Sequence, residues 1–191
     1  MTREELEERL YKMSSQELVL IMLVGFTVLQ DKLGKKKTKV PENLRVIHWP
    51  YDSPRHKLRN NYGTQRTKDI HRGEDISTGG TRQEILAGLD GEVVYAKYKD
   101  QWYGNTICIK SKLPDGRDVW LVYAHCHEFL KQAGDKVERG KPIARTGGLV
   151  GTDNGAGNSK GRHVHFEVRV GANLRAKTVP PADYCDPNTL P

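Results

Sequence analysis

Residues 161–169, GRHVHFEVR, alternate like a β-strand with two unlike faces. Val164, Phe166, Val168 and Val170 form an apolar row suited to a core. His163, His165, Glu167 and Arg169 form the opposite row. Two imidazoles side by side on a non-core face are either surface decoration or part of a site. The other five histidines decide between these readings.

The rest of the chain constrains the setting. At 191 residues it suits one domain with an appendage, and its 19 glycines suit a turn-rich sheet protein. A net charge of +7 favours an anionic partner, whether nucleic acid, a membrane surface or a bacterial cell wall. Cys108, Cys126 and Cys185 are odd in number and widely spaced, which fits neither a disulfide framework nor a cysteine zinc site.

Residues 2–33 contain no proline and predict a helix, with Leu6, Leu10 and Met13 at helical spacing. Within it, residues 18–29 are apolar all round. Residues 1–10 carry four Glu against two Arg, the wrong charge for an export signal. A membrane span needs about 20 apolar residues, so 18–29 is short for one. The preferred reading makes residues 1–34 an assembly or docking helix, covered by the domain, a second copy or a partner protein. Membrane contact is the less favoured use. Residues 35–43, which include KKKTK, form a basic linker, and 44–191 form the main domain.

From residue 44 the pattern changes to short apolar runs broken by Gly, Asp and Pro. Residues 84–98 contain a Leu-Asp-Gly turn between two strands, and 105–125 predict a hairpin around Pro-Asp-Gly. HEFLKQAG, 127–134, is the one helical candidate. HEFLK lacks the second histidine of a zinc-protease HExxH helix, and GDKVERGKP has the wrong spacing for a phosphate loop. The glycine-rich run 147–161 opens no helix and reads as a flexible loop leading into the histidine strand. The expectation is a mainly β protein built on antiparallel sheet.

Two more segments place histidines on strand-like stretches. His71 and Asp75 are four apart, with Gly73 removing bulk between them. In WLVYAHCHEF, 120–129, alternation assigns Trp120, Val122, Ala124 and Cys126 to one row, and Leu121, Tyr123, His125 and His127 to the other. Three such segments converging on one sheet would supply what a catalytic zinc site needs: three N or O ligands, an open position, and spare imidazoles. Scattered polar-face histidines are the competing reading. Spacing alone leaves open whether an H-x-H strand gives one imidazole or two to a metal.

HRGED, YAH and HVHFEV, in that order, resemble the lysostaphin/LytM-type zinc endopeptidases that cut peptidoglycan cross-bridges. NNYGTQR, DGEVVYA, YGNTICIK, GDKVERGKPIARTGG and DPNTL match as well, so the resemblance covers roughly residues 48–191. It implies a small twisted antiparallel sheet with long loops, plus the N-terminal α-helical extension that the sequence adds. It implies zinc held by His71, Asp75 and His165, and an unliganded catalytic pair, His125 and His163. His125 would act as general base on water, losing activity below about pH 6 at an ordinary histidine pKa. His163 would stabilise the oxyanion or protonate the leaving amine. The implied partner is the peptide stems and cross-bridges of peptidoglycan rather than nucleic acid. Glu167, His127, Cys126, His48 and His56 carry no expected role, and Glu167 reads as an exposed or supporting residue. A wall enzyme without an export signal suits a phage virion or release at lysis, with the N-terminal helix docking to other virion proteins or to itself. The competing function is a non-catalytic wall-binding or structural relative.

Overall fold

The computed structural model describes residues 13–14, 39–52, 58–66 and 69–189. Chain contacts divide the protein into two units, Met1–Lys39 and Val40–Pro191. The helix expected over 2–33, with its apolar run 18–29, lies outside the described residues except at 13 and 14. Among the described residues no helix is long and apolar enough to cross a membrane.

Within the second unit the described strands pair antiparallel in two sheets. The larger has the order β1 (Leu58–Asn60), β2 (Glu74–Ser77), β10 (His163–Val170), β6 (Asp118–Ala124), β5 (Gly104–Lys112), β4 (Gly91–Asp100), β8 (Lys136–Val137), with β11 (Thr178–Val179) also on β10. The smaller is β3 (Glu84–Leu86), β9 (Pro142–Thr146), β7 (Cys126–Phe129). One short helix, α1 (Pro181–Tyr184), follows. The expected β5–β6 hairpin forms: Gly116, at φ 84°, takes the left-handed conformation that closes its turn. The Leu-Asp-Gly turn instead carries the chain from the small sheet at β3 to the large one at β4. Residues 126–129 are a strand, not the start of a helix. Cross-strand pairing with β9, and burial of Cys126 against the core, override their local helical pattern.

The core lies between the sheets. Val164, Phe166 and Val168 of β10 enter it as their alternation predicts, beside Ile107, Ile109, Leu121, Tyr123, Ile85 and Ile143. The segment before β1 adds Ile47, Trp49 and Tyr51, and Ile47 bridges to Cys185, which draws the two ends of the unit together. The β6 rows are the reverse of the expectation. Leu121 and Tyr123 face the core, whereas Trp120 and Val122 join Cys108, Tyr95 and Leu174 in a second apolar cluster on the opposite face. β6 is buried on both faces, so alternation alone does not identify its core side.

Candidate active site

That opposite face carries the site. β10 sits between β2 and β6, with His165 directly across from Asp75 on one side and Ala124 on the other. His71, just ahead of β2, completes a buried triad. His71 Nε2 lies 3.1 Å from Asp75 Oδ1 and 3.0 Å from His165 Nδ1, and His165 Nδ1 lies 2.9 Å from Asp75 Oδ1. Gly73 allows this approach: a Cβ there would sit 2.4 Å from the Phe166 carbonyl and 3.0 Å from the His165 ring. Three atoms that bear lone pairs once their nitrogens are deprotonated thus converge on one point. Ligand atoms around a first-row divalent metal, with bonds of about 2.1 Å, lie about 3.0–3.4 Å apart. The triad is within a few tenths of an ångström of that geometry, so these residues could hold a metal ion.

His125 and His163 stand beside the triad, their ring centroids 4.8 Å apart. His125 reaches this face by a backbone irregularity rather than by strand alternation. Its φ is +62°, a left-handed value that is uncommon for a non-glycine residue, and it falls between the ends of β6 and β7. By parity with Leu121 and Tyr123 it would point into the core; the left-handed residue turns it away. His125 Nδ1 lies 2.9 Å from the Ala156 carbonyl, and His163 Nδ1 lies 2.8 Å from the Gly161 carbonyl. A carbonyl only accepts, so each Nδ1 carries the proton, and Nε2 is the basic nitrogen of each neutral ring. His163 Nε2 is 3.6 Å from Asp75 Oδ1.

The electrostatics follow from burial and close partners. Burial alone would raise the pKa of Asp75, but hydrogen bonds from His165 and His71 hold it far below the carboxylate range. Burial lowers that of His165, yet Asp75 and Glu167 together raise it to about 9. The two carboxylates flanking the His165 ring thus favour positive charge between them. His125 behaves oppositely: burial first, then the neighbouring His163 and His165, push it down to about 3.

Several functional-site residues lie outside the sequence-based set. Of the two readings of Glu167, exposed or supporting, the structure fits the second. Glu167 is fully buried, and it accepts from Tyr103 Oη at 2.7 Å and from Arg169 Nε at 2.8 Å, with His165 Nε2 at 3.1 Å. Alternation had put it on the histidine row; what was missing was the lid that covers that row, the turn carrying Tyr103. Arg66 reaches the second oxygen of Asp75 at 3.4 Å. The glycine-rich loop is pinned by Asp153, whose buried carboxylate accepts from Arg82 Nε, Arg162 Nε and the Leu149 amide at 2.9, 2.9 and 3.0 Å. His127 stays out of the triad and accepts the Asn154 amide at 3.1 Å. Cys126 is in the core, and His48 is buried with Nε2 3.0 Å from Asp52. His56 lies outside the described residues.

Comparison with known proteins agrees with this geometry. The murein hydrolase activator NlpD of Salmonella dublin is 31% identical over 158 residues, which cover 83% of this chain but 36% of that relative. The chain therefore spans about a third of the length of such curated relatives. Among solved structures, the catalytic domain of the prophage-encoded M23 protein EnpA from Enterococcus faecalis superimposes with a TM-score of 0.56. It is 26% identical and covers 71% of this chain and 95% of that one. The catalytic domain of lysostaphin from Staphylococcus simulans shares the fold, with a TM-score of 0.55 at 23% identity over 66% of this chain and 90% of that one. The model of peptidase family M23 matches residues 69–179, a span that begins just before His71 and ends with the last strand of the large sheet. With the buried triad, the fold and the family match coinciding, the chain belongs to peptidase family M23.

Proposed function

We propose that this chain is a zinc-dependent endopeptidase that hydrolyses peptide cross-links of bacterial peptidoglycan, with His71, Asp75 and His165 holding the metal. The observation that carries this reading is the convergence of all three ligand atoms within 2.9–3.1 Å, beside a pair of imidazoles whose Nε2 atoms are the basic ones. A bound zinc ion supplies Lewis-acid polarisation of the scissile carbonyl and acidification of water. His125 Nε2 takes the proton of the attacking water. His163, with Nδ1–H held by the Gly161 carbonyl, acts in its protonated form: its Nε2 proton stabilises the developing oxyanion or passes to the leaving amine. The proton taken up by His125 balances that loss over the cycle. Asp75 and Glu167 keep His165 from turning, and the glycine-rich loop meets the site at the Ala156 carbonyl, which holds His125. The excess of basic residues suits an anionic wall polymer. Delivery in a phage virion or at lysis belongs to the same proposal, and EnpA offers a prophage-encoded parallel.

The test combines metal analysis with digestion of purified peptidoglycans of differing cross-bridge chemistry, products being read by mass spectrometry. About one zinc per chain is expected. Asp75→Ala and His165→Ala should lose it, while His125→Ala and His163→Ala should keep the metal and lose cleavage. Zinc retained in His165→Ala would reverse the roles of the two histidines on β10. The similarity to NlpD favours a second reading, an activator of another murein hydrolase. A protein that binds zinc, releases no fragments alone, and stimulates a partner hydrolase would establish that reading instead.

A further inference from the structure

Resting on that metal-site reading, we propose that Tyr103 and Glu167 form a positioning brace that orients His165 toward the metal and keeps it in register with His125. Glu167 is a fully buried carboxylate, which is costly unless all its acceptor capacity is used. Here Oε1 meets the Tyr103 hydroxyl at 2.7 Å and His165 Nε2 at 3.1 Å, and Oε2 takes the Arg169 guanidinium. A carboxylate only accepts, so Nε2 of His165 must donate. In the neutral ring this leaves Nδ1 unprotonated, and Nδ1 is the atom facing His71 and Asp75. Glu167 therefore selects the tautomer that a metal needs.

Tyr103 connects this selection to the other half of the site. Its hydroxyl holds Glu167, its ring meets His165 edge-on at 5.5 Å between centroids, and its carbonyl accepts the His125 amide at 3.0 Å. That last bond supports the residue with φ of +62°, a conformation that persists only where its surroundings fix it. Tyr103 is itself fixed. Its amide and that of Trp102 both donate to Asp100 Oδ1 at 2.8 Å, and the Lys99 ammonium covers its ring at 3.8 Å. The competing role for Glu167 is neutralisation of Arg169 alone, and Tyr103→Phe separates the two because it leaves that ion pair intact.

The experiment titrates the apo-protein, residues 1–191, with cobalt(II), used as the spectroscopic probe, in competition with a chromophoric chelator. Wild type, Glu167→Gln and Tyr103→Phe are compared, with the apo-protein melting temperature measured for each. Residues that orient a metal ligand typically contribute about 10–100-fold in metal affinity. Glu167→Gln should weaken binding in that range and Tyr103→Phe at its lower end, each with a shifted cobalt absorption band, while apo Tyr103→Phe melts close to wild type. Should Glu167→Gln fail to fold, Tyr103→Phe decides. Equal affinity and an unchanged band in folded variants would overturn the brace while leaving the metal site standing. No cobalt or zinc uptake by the wild-type protein would instead remove the metal-site reading and the brace with it.

Discussion

The Ala156 carbonyl holds the Nδ1 proton of His125, so the nitrogen available to accept a proton is Nε2. For a base of this kind only the neutral ring works. Burial, reinforced by two neighbouring imidazoles, lowers its pKa to about 3, so the neutral form persists well below the ordinary histidine range. This moves the acid limb below the value near pH 6 that an ordinary histidine would give. As pH falls, the metal ligands meet competition from protons first, because each binds metal only when deprotonated. Activity and bound zinc should therefore decline together on acidification. Measuring both on the same samples from pH 8 to 4 checks this. A fall in activity centred near pH 6.5 with zinc fully retained would mean that His125 titrates as an exposed histidine does. His125 also marks a limit of reading by alternation, since the row that carries it to the site face also contains Leu121 and Tyr123, which lie in the core.

Among the elements, β10 is the most legible in the sequence. One of its faces packs only into the core and the other carries only polar groups, so a period of two separates them. β6 has large apolar residues on both faces, and nothing local in it distinguishes the main core from the smaller cluster under Tyr95 and Leu174. The 147–161 segment is the loop that its glycines predict, leading into β10, but its internal order is not legible locally. Its glycines advertise freedom, but one acidic residue organises it through partners 71 and nine positions away, Arg82 and Arg162. Burial works to raise the pKa of Asp153, but hydrogen bonds from Arg162, the Leu149 amide and Arg82 lower it from 3.8 to about 2. A depressed carboxyl stabilises the fold above its unfolded pKa, and that contribution disappears as pH falls through the folded value. Asp153→Asn should thus cost roughly 2 kcal/mol at neutral pH, the free-energy equivalent of that shift. The gap from wild type should narrow between about pH 4 and 2. Thermal melts across that range test the point, and a gap that stayed constant down to pH 2.5 would show that the ion pairs contribute nothing.

On the scale of the whole molecule, every group placed at the site, and every strand that positions one, belongs to the unit Val40–Pro191. That unit closes on itself: the Ile47 amide donates to the Tyr184 carbonyl at 3.1 Å, the Asp186 amide returns to Ile47 at 2.8 Å, and Trp49 and Tyr51 fill the core between the sheets. Such closure ties the two ends of the unit together through its own described residues. A chain beginning at Lys39 should therefore fold cooperatively, bind about one zinc and cleave peptidoglycan in solution. If the apolar run 18–29 serves docking, the shortened chain should also be the more soluble, because an exposed stretch of that kind promotes association. Near-ultraviolet circular dichroism, zinc content and light scattering on both chains make the comparison. A shortened protein without fixed tertiary structure would assign residues 1–38 to the core of the domain. Partition of the full chain into membranes, resistant to alkaline extraction and abolished by the deletion, would make the same residues an anchor.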